Sequence, residues 1–552
     1  MLALPTCRRL HAIPFRGQVL KNISAEFLAA GIPLIETGLE SYLRDESHFH
    51  GHATGLIRCR GDRDVIEALK VANRCRMPLT AVSGKTSLTG ASIPLGGLIL
   101  DLKGMASVDP DDLTLVGPGL ILKAYKDLVA SRGLFYPPDP TSEDSCTLGG
   151  NVACNASGSL SYLYGPTRDY IQGLRLALPT GNILEIERGQ IVSNKGVFRV
   201  PAALMLPPGA TDLVIPVPRT SAPDWSFCKN AAGLYSSEPM DLVDLFIGSE
   251  GILGIVLRIR TRLLLRRNPY FSLMLYIPTR KQTVLVVTLL DKFKRYFHDG
   301  QQALRPDIEE MLANSPYRST NLDLERLHGL VPSCMEWFGA AVAPFLSQER
   351  ASKLAETYGC LYVEQEYPED EDPMEKISQW AVLVDMLNAC SEVDSSAIET
   401  EVALDQNQIR KMRKDRQSVP EKLNESIRPG LVKLAMDYAV PMKHLDRLLE
   451  LYDDNLPAGK SYVFGHIGNA HLHANILPEN SEELEYYRSL SREIGLEVCK
   501  LGGSVSGEHG IGKLKREALE MMLGKEGISE IRRIKRILDP NLILNINNMI
   551  RP

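Results

Sequence analysis

The stretch PPDPTSEDSCTLGGNVACNASGS, Pro137–Ser159, combines rigid prolines, the Gly149-Gly150 pair and small hydroxyl residues. Glycine lets a backbone pass close to a neighbouring group because it has no Cβ, and proline fixes the chain at turns. An earlier stretch of this kind, PLTAVSGKTSLTGASIP at Pro78–Pro94, follows a helix-like and a strand-like segment. In chain order, Pro78–Pro94 is the first glycine-rich loop and Pro137–Ser159 is the second. Backbone N–H groups in such loops converge on anions, and phosphate is the expected ligand. Two loops of this kind can line an extended cofactor.

Two familiar nucleotide-binding motifs are incomplete in this chain. The GKT at residues 84–86 resembles half of a Walker A loop, but Leu79 stands where that motif needs glycine. The GPG at residues 117–119 is followed by Leu122, where a Rossmann fingerprint has its third glycine. A single loop of this composition is equally compatible with a structural turn. A third glycine-rich turn, DLFIGSEGILGI at Asp244–Ile255, makes ligand binding the better interpretation.

The hydrophobic periodicity predicts a mixed architecture of helices and strands from residue 62 onward. Residues 188–224 are rich in proline, glycine and serine and are predicted to be irregular. A domain boundary is predicted near Leu265, followed by a separate α+β unit that ends in a helix stopped by Asp539-Pro540. Helices are predicted near 62–77, Ile121–Ser131, Gln406–Gln417, Lys443–Asp453 and Ile528–Leu538, and strands at Leu79–Val82, Leu98–Leu102, Leu174–Leu178, 242–260 and Phe271–Ile277.

The histidines are clustered near the C-terminal end. Of eleven in the chain, four lie in FGHIGNAHLHANILP, Phe464–Pro478, and SGEHGIG, Ser506–Gly512. Imidazole and carboxylate suit a borderline divalent metal such as zinc, and a catalytic site needs three protein ligands and an open position. His466, His473 and Glu508 supply such a set.

Strand alternation would place His471, His473 and Asn475 on one face, where polar groups need a partner or a ligand. A single buried histidine is more commonly a hydrogen-bonded core residue. Glu508 and His509 arrive on a glycine-flanked turn, however, and the whole cluster favours a metal-linked catalytic site over a purely structural network.

The length and composition of the chain indicate a well-packed globular protein. Its 552 residues exceed what one hydrophobic core supports and predict two large domains. A formal net charge of −6 gives no basic field for a phosphate backbone, which argues against nucleic acid as a partner. The ten cysteines include no CxxC pair, which favours reduced thiols. No segment reaches the ~20 apolar residues of a membrane span, and we expect a cytoplasmic protein, with peripheral membrane attachment left open.

The motifs together resemble the FAD-linked oxidases. The loop at 83–94, the run from Pro138 to Gly181 and the turn at Asp244–Ile255 are similar to the FAD-binding domain of the vanillyl-alcohol oxidase type. The relatives with a matching C-terminal part are glycolate oxidase, D-lactate dehydrogenase and D-2-hydroxyglutarate dehydrogenase. The resemblance implies an α+β fold with an N-terminal arm at 1–50, a two-subdomain FAD-binding domain at 51–265, and a substrate (cap) domain at 266–552 whose helical tail returns to the FAD-binding domain.

The resemblance also implies which residues contact FAD. The first loop has Ser83, Lys85 and Ser87 at positions that are often glycine, and Lys85 would add positive charge beside the phosphates. Some relatives bond the flavin covalently through a histidine in this loop, and none is present here, so non-covalent FAD is expected. The implied contacts are Ser83, Gly84, Lys85, Thr86, Ser87, Asp139, Ser142, Gly149, Gly150, Asn151 and Gly158.

In the C-terminal part the resemblance implies a metal-assisted site for zinc or manganese. The related enzymes bind their metal through residues that match His466, His473 and Glu508. His509 resembles their general base, and Asn475 resembles a residue that contacts substrate or metal. The usual Asp-Gly-Asn is here Asn469-Ala470-His471, so His471 is either an extra ligand or a change of specificity.

The implied reaction is oxidation of a small 2-hydroxy acid, such as D-lactate or glycolate, with hydride transfer to flavin N5. Arg413 resembles an arginine that clamps the substrate carboxylate, whereas Arg410 and Arg416 are interpreted as solvated helix charges. Lys433 precedes Asp437 at a spacing unlike that of the D-2-hydroxyglutarate dehydrogenases, which argues against a dicarboxylate.

Partners and competing functions stay open at this point. The electron acceptor is an electron-transfer flavoprotein, a quinone, a cytochrome, an iron–sulfur protein or oxygen, and a homodimer is compatible with the sequence. A metal-dependent hydrolase would use His466, His473 and Glu508 but leave three glycine-rich loops without a role. A non-catalytic electron-transfer protein of the same fold is the other alternative, and the intact His509 argues against it.

Overall fold

The computed structural model describes residues 17–207, 211–219, 228–313, 324–389 and 397–551. The predicted α+β class is confirmed. The α-helices are Gly17–Ala29, Asp62–Cys75, Leu122–Ala130, Leu148–Cys154, Ser161–Tyr164, Leu242–Phe246, Arg280–Phe293, Arg305–Ala313, Gln348–Ala355, Pro373–Ala389, Gln406–Glu425, Leu445–Asn455, Ser481–Lys500 and Arg516–Leu538, the last kinked at Gly524.

A small parallel sheet lies near the N-terminus. Leu98–Asp101 forms its middle strand, between Gly55–Arg58 and Leu79–Val82. The middle strand is buried along its whole length, as expected of an apolar run covered on both faces. The first glycine-rich loop begins where Leu79–Val82 ends, so it leaves the carboxyl end of a parallel strand.

A five-stranded antiparallel sheet follows in the chain. Its strands, in spatial order, are Leu115–Val116, Ile255–Thr261, Ile171–Ala177, Ile183–Glu187 and Met205–Leu206. Two short pairs lie outside it, Val197–Val200 with Leu213–Pro216 and Leu134–Phe135 with Leu264–Leu265.

A seven-stranded antiparallel sheet forms the C-terminal part. Leu176 of the five-stranded sheet and Trp337 of this one belong to one contiguous apolar core, so the two parts are packed together. The spatial order of its strands is Glu399–Ala403, Tyr270–Ile277, Gly359–Glu366, Cys334–Gly339, Ser461–Gly465, His471–Ile476 and Leu434–Ala439.

Two local predictions need correction. Residues 242–260 are strand-like in sequence, yet Leu242–Phe246 is helical because the carboxylate of Asp241 caps it, accepting the N–H of Val243 at 2.9 Å. Residues 188–224 are not uniformly irregular, since three short strands lie in their described part. Residues 208–210 and 220–224 lie outside the described residues.

The tail of the chain lies against the first sheet. The N–H of Leu79 donates to the carbonyl oxygen of Ile543 at 2.7 Å, and Asn545 accepts the N–H of Ala81 at 2.8 Å. The amide of Asn545 also donates to the carbonyl oxygen of Glu250 at 2.7 Å, which ties the tail to the third glycine-rich turn. The domain boundaries near residues 50 and 265 stay predictions.

Among the described residues, no helix is both long enough and apolar enough to cross a bilayer. The eight cysteines that they contain are free thiols, while Cys7 and Cys390 lie outside them.

Candidate active site

The histidine-bearing strand lies inside the seven-stranded sheet. His471–Ile476 pairs antiparallel with Leu434–Ala439, and the predicted alternation is confirmed because side chains two residues apart point to the same face. On that face His473 stands opposite Asp437. The side-chain nitrogen of Asn475 is buried and has no hydrogen-bond partner among the described residues, which leaves a donor for a ligand.

His466 lies between two carboxylates. Its Nδ1 is 2.5 Å from Oε1 of Glu336, and its Nε2 is 3.0 Å from Oε1 of Glu508. Glu336 comes from the adjacent strand Cys334–Gly339, and its other oxygen lies 3.3 Å from the guanidinium group of Arg416. A carboxylate on Nδ1 fixes the orientation of the ring, so that Nε2 faces the centre of the cluster.

Asp437 faces three imidazoles at once. Its Oδ1 lies 2.6 Å from Nε2 of His471 and 3.6 Å from Nδ1 of His473. Its Oδ2 lies 3.3 Å from Nδ1 of His509 and 2.9 Å from the ammonium group of Lys515. Asp437 is fully buried, and a buried carboxylate is stable only with such partners. Side chains from separate segments therefore converge on one carboxylate.

Glu508 joins the N-terminal half of the chain to the histidine centre, which is the cluster of His466, His471, His473, His509 and Asp437. Its Oε1 is 3.2 Å from Nε2 of His473. Its Oε2 accepts hydrogen bonds from Lys229 at 2.9 Å and from Ser157 at 3.1 Å. Ser157 belongs to the second glycine-rich stretch, and Lys229 lies shortly before the third turn. Residues of the N-terminal half thus complete the histidine centre.

These contacts set the charges of the centre. Burial tends to lower the pKa of His466, but the carboxylates of Glu336 and Glu508 outweigh it and raise this pKa to about 9. Burial is the main cause that lowers the pKa of His471 and of His509 to about 3. The position between the two carboxylates therefore stabilises a positive charge, whereas burial disfavours the charged forms of His471 and His509.

A divalent cation fits this donor set. Neutral imidazole nitrogen and carboxylate oxygen are the donors that borderline divalent ions prefer. The predicted ligands are brought together with His471 among them. Two groups have ligand atoms that all lie within 4.8 Å of one another: His466, His471, His473 and Glu508 in one, and Asp437, His473 and His509 in the other.

The arginines of the long helix after residue 405 have distinct environments. Arg413 bonds Oε1 of Glu364 through Nε at 3.1 Å and through Nη2 at 2.7 Å. Arg410 is exposed, as predicted. The interpretation of Arg416 as a solvated charge is wrong, because only 13% of its side chain is exposed and it pairs with Glu336. The helical spacing alone could not show which face packs on the sheet.

The glycine-rich loops approach each other through their backbones. A Cβ on Gly84 would lie 2.7 Å from the carbonyl oxygen of Ser145, so glycine lets the first loop approach the second. A Cβ on Gly158 would lie only 2.2 Å from the carbonyl oxygen of Asp139, and the carboxylate of Asp139 accepts the N–H of Leu160 at 3.0 Å. The other predicted FAD contacts lie in the same two stretches: Thr86, Ser142, Gly149 and Gly150.

Unpaired polar groups in these loops are suited to FAD. The buried Oγ of Ser83 and Nδ2 of Asn151 have no hydrogen-bond partner among the described residues, and the hydroxyl and phosphate oxygens of a dinucleotide would supply one. Lys85 instead donates to the carbonyl oxygen of Ser41 at 2.6 Å, so its charge is directed to the N-terminal arm. Ser87 supports the loop from within, since its Oγ accepts a backbone N–H two residues on, at 3.2 Å.

A cleft of 890 Å³ opens beside the histidine centre. Its lining includes Ser157, Lys229 and Gly507 next to Glu508, and also the exposed Lys443. The cleft therefore extends as far as the neighbours of Glu508, and its size accommodates a small organic acid.

Three residues of the centre could not be found from the sequence pattern. Glu336 precedes His466 by 130 positions, and Lys229 precedes Glu508 by 279. Neither lies in a motif. Asp437 has a weak signal, the segment Asp437–Pro441, but the sequence does not show that its carboxylate serves the histidines.

Glycine-rich loops with unpaired polar groups, next to a buried histidine–carboxylate centre, are features of a cofactor-binding enzyme. Residues 53–187 match the FAD binding domain family, and residues 345–548 match the family of FAD linked oxidases, C-terminal domain. The chain belongs to the FAD-linked oxidases and is an FAD-dependent oxidoreductase.

Curated relatives match most of the chain. The glycolate oxidase protein GlcD of Bacillus subtilis is 27% identical, over 90% of this chain and 88% of the relative. D-lactate dehydrogenase of Anaerostipes hadrus is 27% identical, over 92% of each chain. D-2-hydroxyglutarate dehydrogenase of Stutzerimonas stutzeri is 23% identical, over 92% of this chain and 93% of the relative.

Solved structures share the fold. p-Cresol methylhydroxylase superposes with a TM-score of 0.64 at 13% identity, over 97% of this chain and 98% of that one. 4-Ethylphenol oxidase of Gulosibacter chungangensis gives 0.63 at 14% identity, over 97% and 98%. The predicted fold of the vanillyl-alcohol oxidase type is thereby confirmed.

Proposed function

We propose that this chain oxidises a small 2-hydroxy acid, of the size of D-lactate or glycolate, to the 2-oxo acid, with metal-assisted deprotonation of the hydroxyl group. The main support is the convergence of four imidazoles and Glu508 in the histidine centre. Two residues of the N-terminal half, Lys229 and Ser157, complete this centre by bonding Glu508. The names of two relatives, glycolate oxidase and D-lactate dehydrogenase, agree with this substrate class.

The cofactor and the metal each supply one part of the chemistry. FAD, held non-covalently by the two glycine-rich loops, supplies the hydride acceptor. A zinc or manganese ion bound by His466, His473 and Glu508 supplies a Lewis acid that lowers the pKa of a hydroxyl group. His466 and Glu508 have hydrogen-bonded partners on their outer sides, the carboxylate of Glu336 and the ammonium group of Lys229, which keep their ligand atoms directed inward. Nδ1 of His473 lies 3.6 Å from Oδ1 of Asp437.

His509 is the proposed general base. Asp437 faces its Nδ1 at 3.3 Å, so Nε2 is the nitrogen that accepts the hydroxyl proton. The carboxylate of Asp437 then stabilises the imidazolium ion, while the hydride leaves the substrate carbon as its carbonyl group forms. Lys515, 2.9 Å from the same carboxylate, keeps that carboxylate ionised.

Arg413 and Asn475 are the proposed contacts for the substrate carboxylate. Glu364 engages Nε and Nη2 of Arg413, and the third nitrogen, Nη1, is proposed to bind the substrate. Asn475 offers its unpaired side-chain nitrogen from the same sheet face as His473. The division into residues 1–50, 51–265 and 266–552, the cytoplasmic location, the homodimer and the identity of the electron acceptor remain proposals from the sequence.

The test is a panel of D- and L-2-hydroxy acids assayed by anaerobic bleaching of the FAD absorbance, repeated after chelation of metal. We expect bleaching by one or more small monocarboxylic acids, loss of that bleaching on chelation and recovery with Zn²⁺ or Mn²⁺. Bleaching by none of the acids would overturn the substrate class. Bleaching that is unaffected by complete metal removal would overturn the metal-assisted step alone.

A further inference from the structure

His471 stands inside the metal centre rather than beside it. It is fully buried, and its ring lies 4.6 Å from the ring of His473 and 5.3 Å from the ring of His466, between centroids. Its ligand atom lies within 4.8 Å of those of His466, His473 and Glu508. The proposed function uses those three residues and gives His471 no role.

The two nitrogens of His471 have different surroundings. Nε2 is 2.6 Å from Oδ1 of Asp437, a charge-assisted hydrogen bond that fixes the ring. Nδ1 is buried and has no hydrogen-bond partner among the described residues. A buried nitrogen without a partner destabilises the fold unless something occupies that side of the ring. A carboxylate on one nitrogen and an unpaired second nitrogen are typical of a histidine that binds a metal.

The turn that carries Glu508 is fitted to this ring. A Cβ on Gly507 would lie 2.5 Å from Cδ2 and 2.6 Å from Nε2 of His471, so only glycine lets Glu508 approach as it does. The imidazole and the carboxylate are thereby held at the same centre by direct packing.

We infer that His471 is a fourth protein ligand, through Nδ1, so that the centre binds its cation with three imidazoles and one carboxylate. The inference rests on the metal-assisted chemistry proposed above and specifies the class of ion. Nitrogen-rich sites favour zinc, cobalt or nickel over manganese or magnesium, which prefer oxygen donors. A centre of three imidazoles and one carboxylate should therefore bind zinc in preference to manganese.

The test uses the full-length FAD-loaded protein with Zn²⁺ and Mn²⁺ as probes. In His471→Gln the amide nitrogen can replace Nε2 in the hydrogen bond to Asp437, but nothing replaces Nδ1. We expect the dissociation constant for Zn²⁺, measured by competition with a chelator, to rise by about tenfold to 100-fold, with a smaller change for Mn²⁺. X-ray absorption of the zinc-loaded protein should count three imidazoles in the wild type and two in the variant.

Controls separate the outcomes. His298→Gln changes an exposed histidine and should leave zinc affinity unchanged. Should His471→Gln fail to fold, the imidazole count of the wild type decides the question, and His471→Asn gives a second variant. Wild-type affinity in His471→Gln, or two imidazoles in the wild type, would overturn the role of His471 alone. A wild type that binds no zinc, with His466→Gln and His473→Gln equally inert, would overturn the metal site of the proposed function as well.

Discussion

The glycine-rich loops and the histidine centre achieve their geometry by different means. In the loops, the absence of a side chain lets one backbone approach another, as at Gly84 against Ser145. In the centre, two buried carboxylates, Glu336 and Asp437, orient the imidazoles around them. A loop of the first kind is disturbed by adding atoms, and a centre of the second kind by removing charge. The two regions therefore respond differently to substitution.

The largest effect is expected at the general base. His509→Ala removes the group that accepts the hydroxyl proton, and the rate of anaerobic flavin reduction should fall by about 10² to 10⁴. The FAD and zinc contents should be those of the wild type. His298→Ala, an exposed histidine, serves as the control and should keep the full rate. A wild-type rate in His509→Ala would assign the proton to another residue.

The two carboxylates should differ in their effect on metal binding. Asp437 faces three imidazoles, whereas Glu336 bonds one. Asp437→Asn should weaken zinc binding by about 10-fold to 100-fold, and more than Glu336→Gln does, as measured by chelator competition. Equal losses in the two variants would contradict the central position of Asp437.

Gly149 and Gly150, neighbours in the first turn of the helix Leu148–Cys154, test whether close contact with Pro118 requires glycine. A Cβ on Gly149 would lie 2.6 Å from Cβ of Pro118, whereas one on Gly150 would meet the Oγ1 of Thr147 at 3.4 Å. Both changes to alanine raise helix propensity by about 1 kcal/mol, so their difference isolates the contact with Pro118. Gly149→Ala should lower the free energy of unfolding of the apoprotein by about 1–3 kcal/mol relative to Gly150→Ala in urea denaturation. Identical midpoints would show that the backbone at Gly149 can move away from Pro118 without loss of stability.

The smallest effect is expected at the arginines. Arg413→Met should raise KM for the substrate acid by about tenfold with little change in kcat, because a charged hydrogen bond to the carboxylate is lost. Arg416→Met should instead weaken zinc binding, because Glu336 loses its cation. Steady-state kinetics and chelator competition on both variants separate the two roles. A higher KM in Arg416→Met and not in Arg413→Met would assign the clamp to Arg416.

The sequence by itself determined the local elements and the ligand types. Periodicity predicted the strand that bears His471 and His473, because a period of two is a local property of a strand. The glycine-rich stretches and the three residues His466, His473 and Glu508 could also be chosen from the sequence, because rare residue types were clustered there.

Only the tertiary structure decided which charges support those residues. Glu336, Asp437 and Lys229 reach the centre from distant segments through sheet pairing and the packing of the two halves. The burial of Arg416 likewise depends on which face of its helix lies against the sheet. Such long-range contacts leave no local pattern, because they arise from side chains that are neighbours in space and far apart along the chain.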